Sequence, residues 1–293
     1  MADECSNHHS QYMYHASAQG IAGEFYRPSR HSLPMQGAIV LPPHGGRHSH
    51  KVGKFKLDGL ISYEEIMVEV GGSYDDCHDI QTSYAYAVIE GLNIADMVTA
   101  DRVVSRMMIY SPPGDYGGEH TFDITGSHFE NLKIAGHRID LNLATDVFHQ
   151  VNSFSKFTEF YNSKKADEWL IPGKLGQLPD EELKTLEDKY HAMRGMAPLV
   201  KAWKSDAKRE PKDRYWCSAA NHLDLQKHAG VGENSEVQSH GGVIVIPKFG
   251  VVRLAEVVVD KHRRMLNMLR VDMCSTGHGS TTGGGSGGGS TFP

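Results

Sequence analysis

Short runs of β-branched and alternating apolar residues recur along much of the chain, separated by clusters of Gly, Pro and Asp. That is the signature of successive antiparallel strands, because side chains on a strand alternate between two faces. The runs are Gly37 to Leu41, Ile61 to Val70, Thr82 to Ile89, Val98 to Ile109, His120 to Thr125, Leu132 to Ile134 and Arg138 to Leu143. Turn chemistry lies between them, as in Pro42-Pro43-His44-Gly45-Gly46, Gly71-Gly72-Ser73, Ser111-Pro112-Pro113-Gly114-Asp115 and Ala135-Gly136-His137. The pattern resumes late, at Val243 to Ile246, Val251 to Val259 and Met265 to Val271.

Between these two stretches the character changes. Lys, Arg, Asp and Glu crowd residues 155–214, and Pro179 with Asp180-Glu181-Glu182 opens a segment whose apolar Leu183, Leu186, Tyr190 and Met193 fall at steps of three and four. This is a helix pattern, ended by Pro198. A helix of about 14 residues is marginal alone in water, so its apolar stripe is expected to lie on the β domain. The first 36 residues are polar and carry no period. From residue 275 onwards the chain is mostly Gly, Ser and Thr, a composition that buries little surface against its backbone entropy.

The expected fold is therefore mainly β: an antiparallel β sandwich or barrel with a short helical insertion and flexible N- and C-terminal arms. The expected organisation is an N-terminal arm over 1–36, a single β domain over 37–274 with the helical insertion at about 155–214, and a Gly/Ser-rich tail over 275–293.

Composition narrows the function classes. Hydrophobic residues make up 39% and charged residues 23% of the 293, which suits a folded chain. A formal charge of −6 lacks the basic surface that phosphate contacts require, so nucleic acid is not an expected partner. The most apolar stretch, Val243 to Val259, is interrupted by Pro247, Lys248, Gly250, Arg253 and Glu256, so no membrane span is expected. Met1 to Gly20 lacks the basic start and apolar run of a secretory signal. A cytoplasmic location follows as the expectation, with export by a leaderless route as the alternative. Cys5, Cys77, Cys217 and Cys274 are widely spaced and read as free thiols.

Candidate chemistry centres on histidine, of which there are 18. His44, His48 and His50 fall together, and the His48-x-His50 spacing puts two imidazoles on one side of an extended segment, where they could ligate Zn, Cu or Ni. The competing reading is a solvated polar loop. Asp75-Asp76-Cys77-His78-Asp79 has the composition of a cation loop but not the acid spacing of an EF-hand, and reads as a polar turn. Glu119-His120 with Asp123 could form an acid and base pair only if the fold brings them close; otherwise they sit on an exposed strand face. Motifs for nucleophilic catalysis and phosphate binding are absent from the sequence. Arg263-Arg264 and Arg270 read as cross-strand partners of acids such as Glu256.

Three strings carry a family resemblance: Ile89-Glu90-Gly91-Leu92-Asn93-Ile94 with Val98 to Val104, Gly126 to His137, and Ile246-Pro247-Lys248-Phe249-Gly250 through Val271. Together they resemble β-rich bacterial proteins of the choice-of-anchor or hypothetical type. The resemblance covers about residues 37–150 and 215–293. It implies a β fold and a bacterial origin, and brings no activity with it.

The leading functional expectation is a non-enzymatic structural protein that assembles with itself into a homo-oligomer or filament. Its arms would make the subunit contacts, with Phe292 and Pro293 docking in a neighbour. The alternatives are a metal-dependent enzyme or metal-binding protein built on His44, His48 and His50, and a small-molecule-binding β protein.

Overall fold

In the computed structural model, the described residues are 12–25, 31–57, 59–112, 118–162, 214–220, 238–240, 242–246, 249–273 and 279–291. The helix expected around 179–193 and the pair Phe292 and Pro293 lie outside them. The elements run β1 (Tyr12–Phe25), β2 (His31–Val40), β3 (Gly46–Val52), β4 (Phe55–Leu57), β5 (Ile61–Tyr63), β6 (Glu65–Asp75), β7 (Ile80–Ile94) and β8 (Val98–Ser111). Then come β9 (Thr121–Asp123), β10 (His128–Glu130), β11 (Lys133–Ile134), β12 (His137–Arg138), α1 (Thr145–Gln150) and α2 (Phe154–Asn162). The last are β13 (Arg214–Ser218), β14 (Gln238–His240), β15 (Val243–Ile246), β16 (Gly250–Asp260), β17 (Arg264–Met273) and β18 (Gly279–Thr291).

Among the described residues these strands form two sheets. The first has eight strands, in the order β14-β15-β16-β17-β18-β1-β2, with β13 beside β16. The second has ten, built on the order β12-β11-β8-β7-β5-β4, with β6 and then β3 also reached from β7, and with β9 and β10 on β8. All the pairings are antiparallel. The mainly β, antiparallel expectation holds, and of sandwich or barrel it is the open form, with no closed barrel.

Alternation makes the core. On β6, Ile66, Val68 and Val70 are buried; Ala85, Ala87 and Ile89 of β7 lie beside them; Val103, Met107 and Ile109 of β8 follow. Against this face lie Tyr14, Ala16, Ala18 and Gly20 of β1, together with β18. The Cα atoms of β1 and β18 come within 8 Å of those of β7, closer than the roughly 10 Å usual between stacked sheets. Small side chains allow it: the buried faces of β1 and β7 include Ala16, Ala18, Ala85 and Ala87, and β18 is Gly, Ser and Thr throughout.

The two segments read from the sequence as arms thus contribute strands here. β18 is paired along both edges, with β17 from Arg264↔Gly287 to Met273↔Gly279 and with β1 from Tyr12↔Thr291 to Gly23↔Thr281. Residues 12–25 pair with β18 on one side and β2 on the other. Backbone ladders supply what the side chains do not, since a sheet interior satisfies each N–H and C=O without needing a bulky residue. Of the helical insertion, α2 is described; it brings Phe154 and Phe157 against Tyr215 of β13, with ring centroids 5.7 and 6.2 Å apart. Phe157 also stacks on Phe148 of α1, which in turn meets Phe122 of β9.

Candidate functional site

Among the described residues, chemistry beyond packing is carried first by the terminal strand pair and by a polar seam at one end of the sandwich beside it. The seam is built by the start of β1, the end of β8 and the segment leading into β9. The Ser111 hydroxyl lies 2.7 Å from the Tyr12 hydroxyl and 2.8 Å from His120 Nδ1. One hydroxyl thereby links the first sheet, the second sheet and the β9 approach. Ser111 is buried, and Tyr12 and His120 are half-buried.

Arg264, at the start of β17, comes to the same end from the other side. It is only 2% exposed, and its guanidinium donates to the carbonyls of Asp260 and, at 3.4 Å, of His120. Sequence reasoning expected a cross-strand acid as its partner; the structure gives it mainly backbone oxygens, with Glu119 and Asp260 near enough to act through charge. Burial lowers the Arg264 pKa. Burial and then the Arg264 charge push His120 below its ordinary value, so the imidazole is held neutral. Burial would raise Glu119, but hydrogen bonds from Ser153 and Ser155 and the charge of Arg264 outweigh it, leaving its carboxylate below the usual range. The Ser155 backbone N–H reaches Glu119 Oε1 at 2.6 Å. Burial raises the Tyr12 phenol, with the Ser111 hydrogen bond opposing.

The acid and base trio of the sequence is therefore dispersed. His120 turns to Ser111, Glu119 turns to α2, and Asp123 accepts from the backbone and hydroxyl of Thr125 in a local turn. Nothing in the sequence pairs Tyr12 with Ser111, which are 99 residues apart.

The three metal candidates lie at the sandwich border. His48 and His50 stand on β3, opposite Val70 and Val68 of β6, and both are exposed; His44 is in the preceding turn and is exposed as well. His48 and His50 share a side of the strand, as their spacing requires. Among the described residues no group of three or more His, Cys, Asp and Glu is gathered so as to hold a metal ion. The Asp75 to Asp79 segment is a polar turn, in which the Asp75 carboxylate accepts from the backbone N–H groups of Cys77 and His78 and meets the His78 ring at 2.8 Å. Cys77 and Cys217 are free thiols, the first exposed and the second buried.

The first sheet also holds an ionic cluster. Arg253 of β16 lies 3.5 Å from Glu256 and 3.6 Å from Asp272 of β17, and Arg270 reaches Asp272 at 3.3 Å. Side chains of Arg253 and Glu256 are 6% and 3% exposed, so the pair is desolvated. Burial pushes the Glu256 carboxyl up, with Arg253 opposing. Such a cluster is costly to break and weak as evidence of stability by itself.

Compared with known protein families, residues 12–260 match the one described as Domain of unknown function (DUF8256). The chain belongs to this family. No curated protein and no solved structure matches it. The DUF8256 match begins at Tyr12, the first residue of β1, and ends at Asp260, the last of β16, so the hairpin of β17 and β18 follows it. No helix among the described residues is long and apolar enough to cross a membrane.

Proposed function

We propose that this DUF8256 protein is a non-enzymatic structural protein that assembles with copies of itself through its terminal strands. One observation carries the reading: the two terminal segments pair with each other in the middle of a sheet, Tyr12 across from Thr291. A contact made by chain ends that complete a sheet is a contact that copies can share, because strand addition needs only a backbone edge of the right length. The polar seam of Tyr12, Ser111 and His120 fits the same role as a clasp on the start of β1. The likeness to choice-of-anchor proteins and a bacterial origin belong to this proposal, as does a location without a membrane span.

The test is sedimentation velocity with negative-stain electron microscopy of the full chain across a wide range of concentration. Rings, filaments, shells or defined oligomers are the expected result. A single monomeric species at every concentration would overturn the reading and move attention to the His48 and His50 pair.

A further inference from the structure

We propose that β18 is an exchangeable strand: in an assembly, the β18 of one chain occupies the place between β17 and β1 of the next. This rests on the assembly reading above and names its partner, a second copy of the same chain.

The place that β18 fills is defined by its neighbours. β17 offers one edge over Arg264 to Met273, and β1 offers the other over Tyr12 to Gly23. Both edges are read by backbone hydrogen bonds, so they accept the same strand equally well from the same chain or from a copy. The sequence Gly-Ser-Thr-Thr-Gly-Gly-Gly-Ser-Gly-Gly-Gly-Ser-Thr brings no large apolar side chain to hold it in one register or one molecule. Gly-rich strands are those whose pairing is least specified and most open to swapping. The ladder is interrupted by a bulge on each side, between Asn267 and Leu269 and between Gln19 and Ala22, so neither edge holds β18 in one unbroken register.

The place must also be occupied. Without β18, two long strand edges would stand open in the middle of the first sheet, facing β7 and β8 at close range. Unpaired buried backbone is costly, so a chain that releases its own β18 takes another.

The borders of the sandwich favour exchange over simple addition. β2 carries Pro34, which cannot donate to a ladder. β3 is lined by exposed Arg47, His48, His50 and Lys51, the kind of charge that blunts an edge against pairing. The edges of β17 and β1 that β18 covers carry no Pro.

The test uses the register. Met265 stands across from Ser286, and directly paired residues on antiparallel strands have Cα atoms about 4.5–5.5 Å apart, within the roughly 4.4–6.8 Å that a disulfide spans. In full-length protein with Cys5, Cys77 and Cys274 replaced by Ser and Cys217 by Ala, one chain carries Met265→Cys and a second, of different tag length, carries Ser286→Cys. The two are refolded together and oxidised. A disulfide between the two different chains, concentrated in the assembled fraction, is the expected result. Both substitutions in one chain, and the pair Arg270→Cys with Thr282→Cys as a second register position, show that the geometry closes. Assemblies in which the two singly substituted chains stay unlinked while the doubly substituted chain closes within itself would overturn exchange and leave assembly through another surface standing. Monomers throughout, with the singly substituted chains unlinked and the doubly substituted chain closed within itself, would overturn both readings.

Discussion

Gly20 of β1 lies so close to Ile66 of β6 that a Cβ built on it would collide with Ile66 Cγ2 and sit 2.9 Å from the Gln36 carbonyl oxygen. The two sheets meet here without room for a methyl group. Gly20→Ala should destabilise by about 1–3 kcal/mol, the usual cost of overpacking. Ile66→Ala alone should cost about 2–5 kcal/mol, since Ile66 is fully buried. Combined, they should cost less than their sum, because the second removes the atom the first strikes. Urea unfolding of the four proteins decides it; strict additivity would mean that the sheets part locally instead.

Loss of one hydroxyl should loosen the seam. Tyr12→Phe should cost about 0.5–1.5 kcal/mol, one hydrogen bond. Ser111→Ala should cost more, about 1–3 kcal/mol, because Tyr12 and His120 both lose their partner. Denaturant midpoints compare the two, and equal losses would show that His120 contributes nothing to the clasp.

The same seam predicts a pH dependence. His120 binds a proton less readily when folded than when unfolded. Its contribution is therefore flat above about pH 6.5, the ordinary histidine value. As pH falls below that, the unfolded chain takes up the proton first and stability drops, until the folded imidazole protonates too. Glu119, held below the carboxylate range, adds a further loss at lower pH, beneath about 4.3. The difference in stability between the native chain and His120→Gln should shrink as pH is lowered from 7 towards 5. A difference that stays constant would mean that the imidazole titrates alike in both states.

His48 and His50 predict retention on an immobilised transition metal. Two exposed imidazoles on one side of a strand make a two-point ligand. His48→Ala with His50→Ala should elute the protein at clearly lower imidazole than the native chain. Unchanged retention would assign the binding to other histidines.

How much of this was legible depended on side-chain size. β7, β8, β15, β16 and β17 could be read because Val, Ile and Leu mark their buried faces. β1 could not, because beyond Tyr14 its buried face is Ala16, Ala18 and Gly20, small residues that the close sheet spacing demands and that no run of large apolar side chains reveals. β18 carries no apolar side chain, so its place in the sheet is written only in the backbone. β3 shows no apolar alternation in the sequence because, at the border, nearly all of its residues are exposed. At the seam, His120 and Glu119 stood out by chemical type, whereas Ser111 and Tyr12 look ordinary until folding brings them together.

Because Tyr12 pairs with Thr291, the entry of the first strand and the exit of the last lie side by side at one end of a single antiparallel ladder. A force that draws the two chain ends apart would load that ladder at its final rung and open it one hydrogen bond at a time, like a zipper. A force applied along the strands would instead load many rungs together, in shear. A protein of this build is compliant when pulled by its ends and stiff when held through its sheet, and the direction of attachment sets which of the two a neighbour feels.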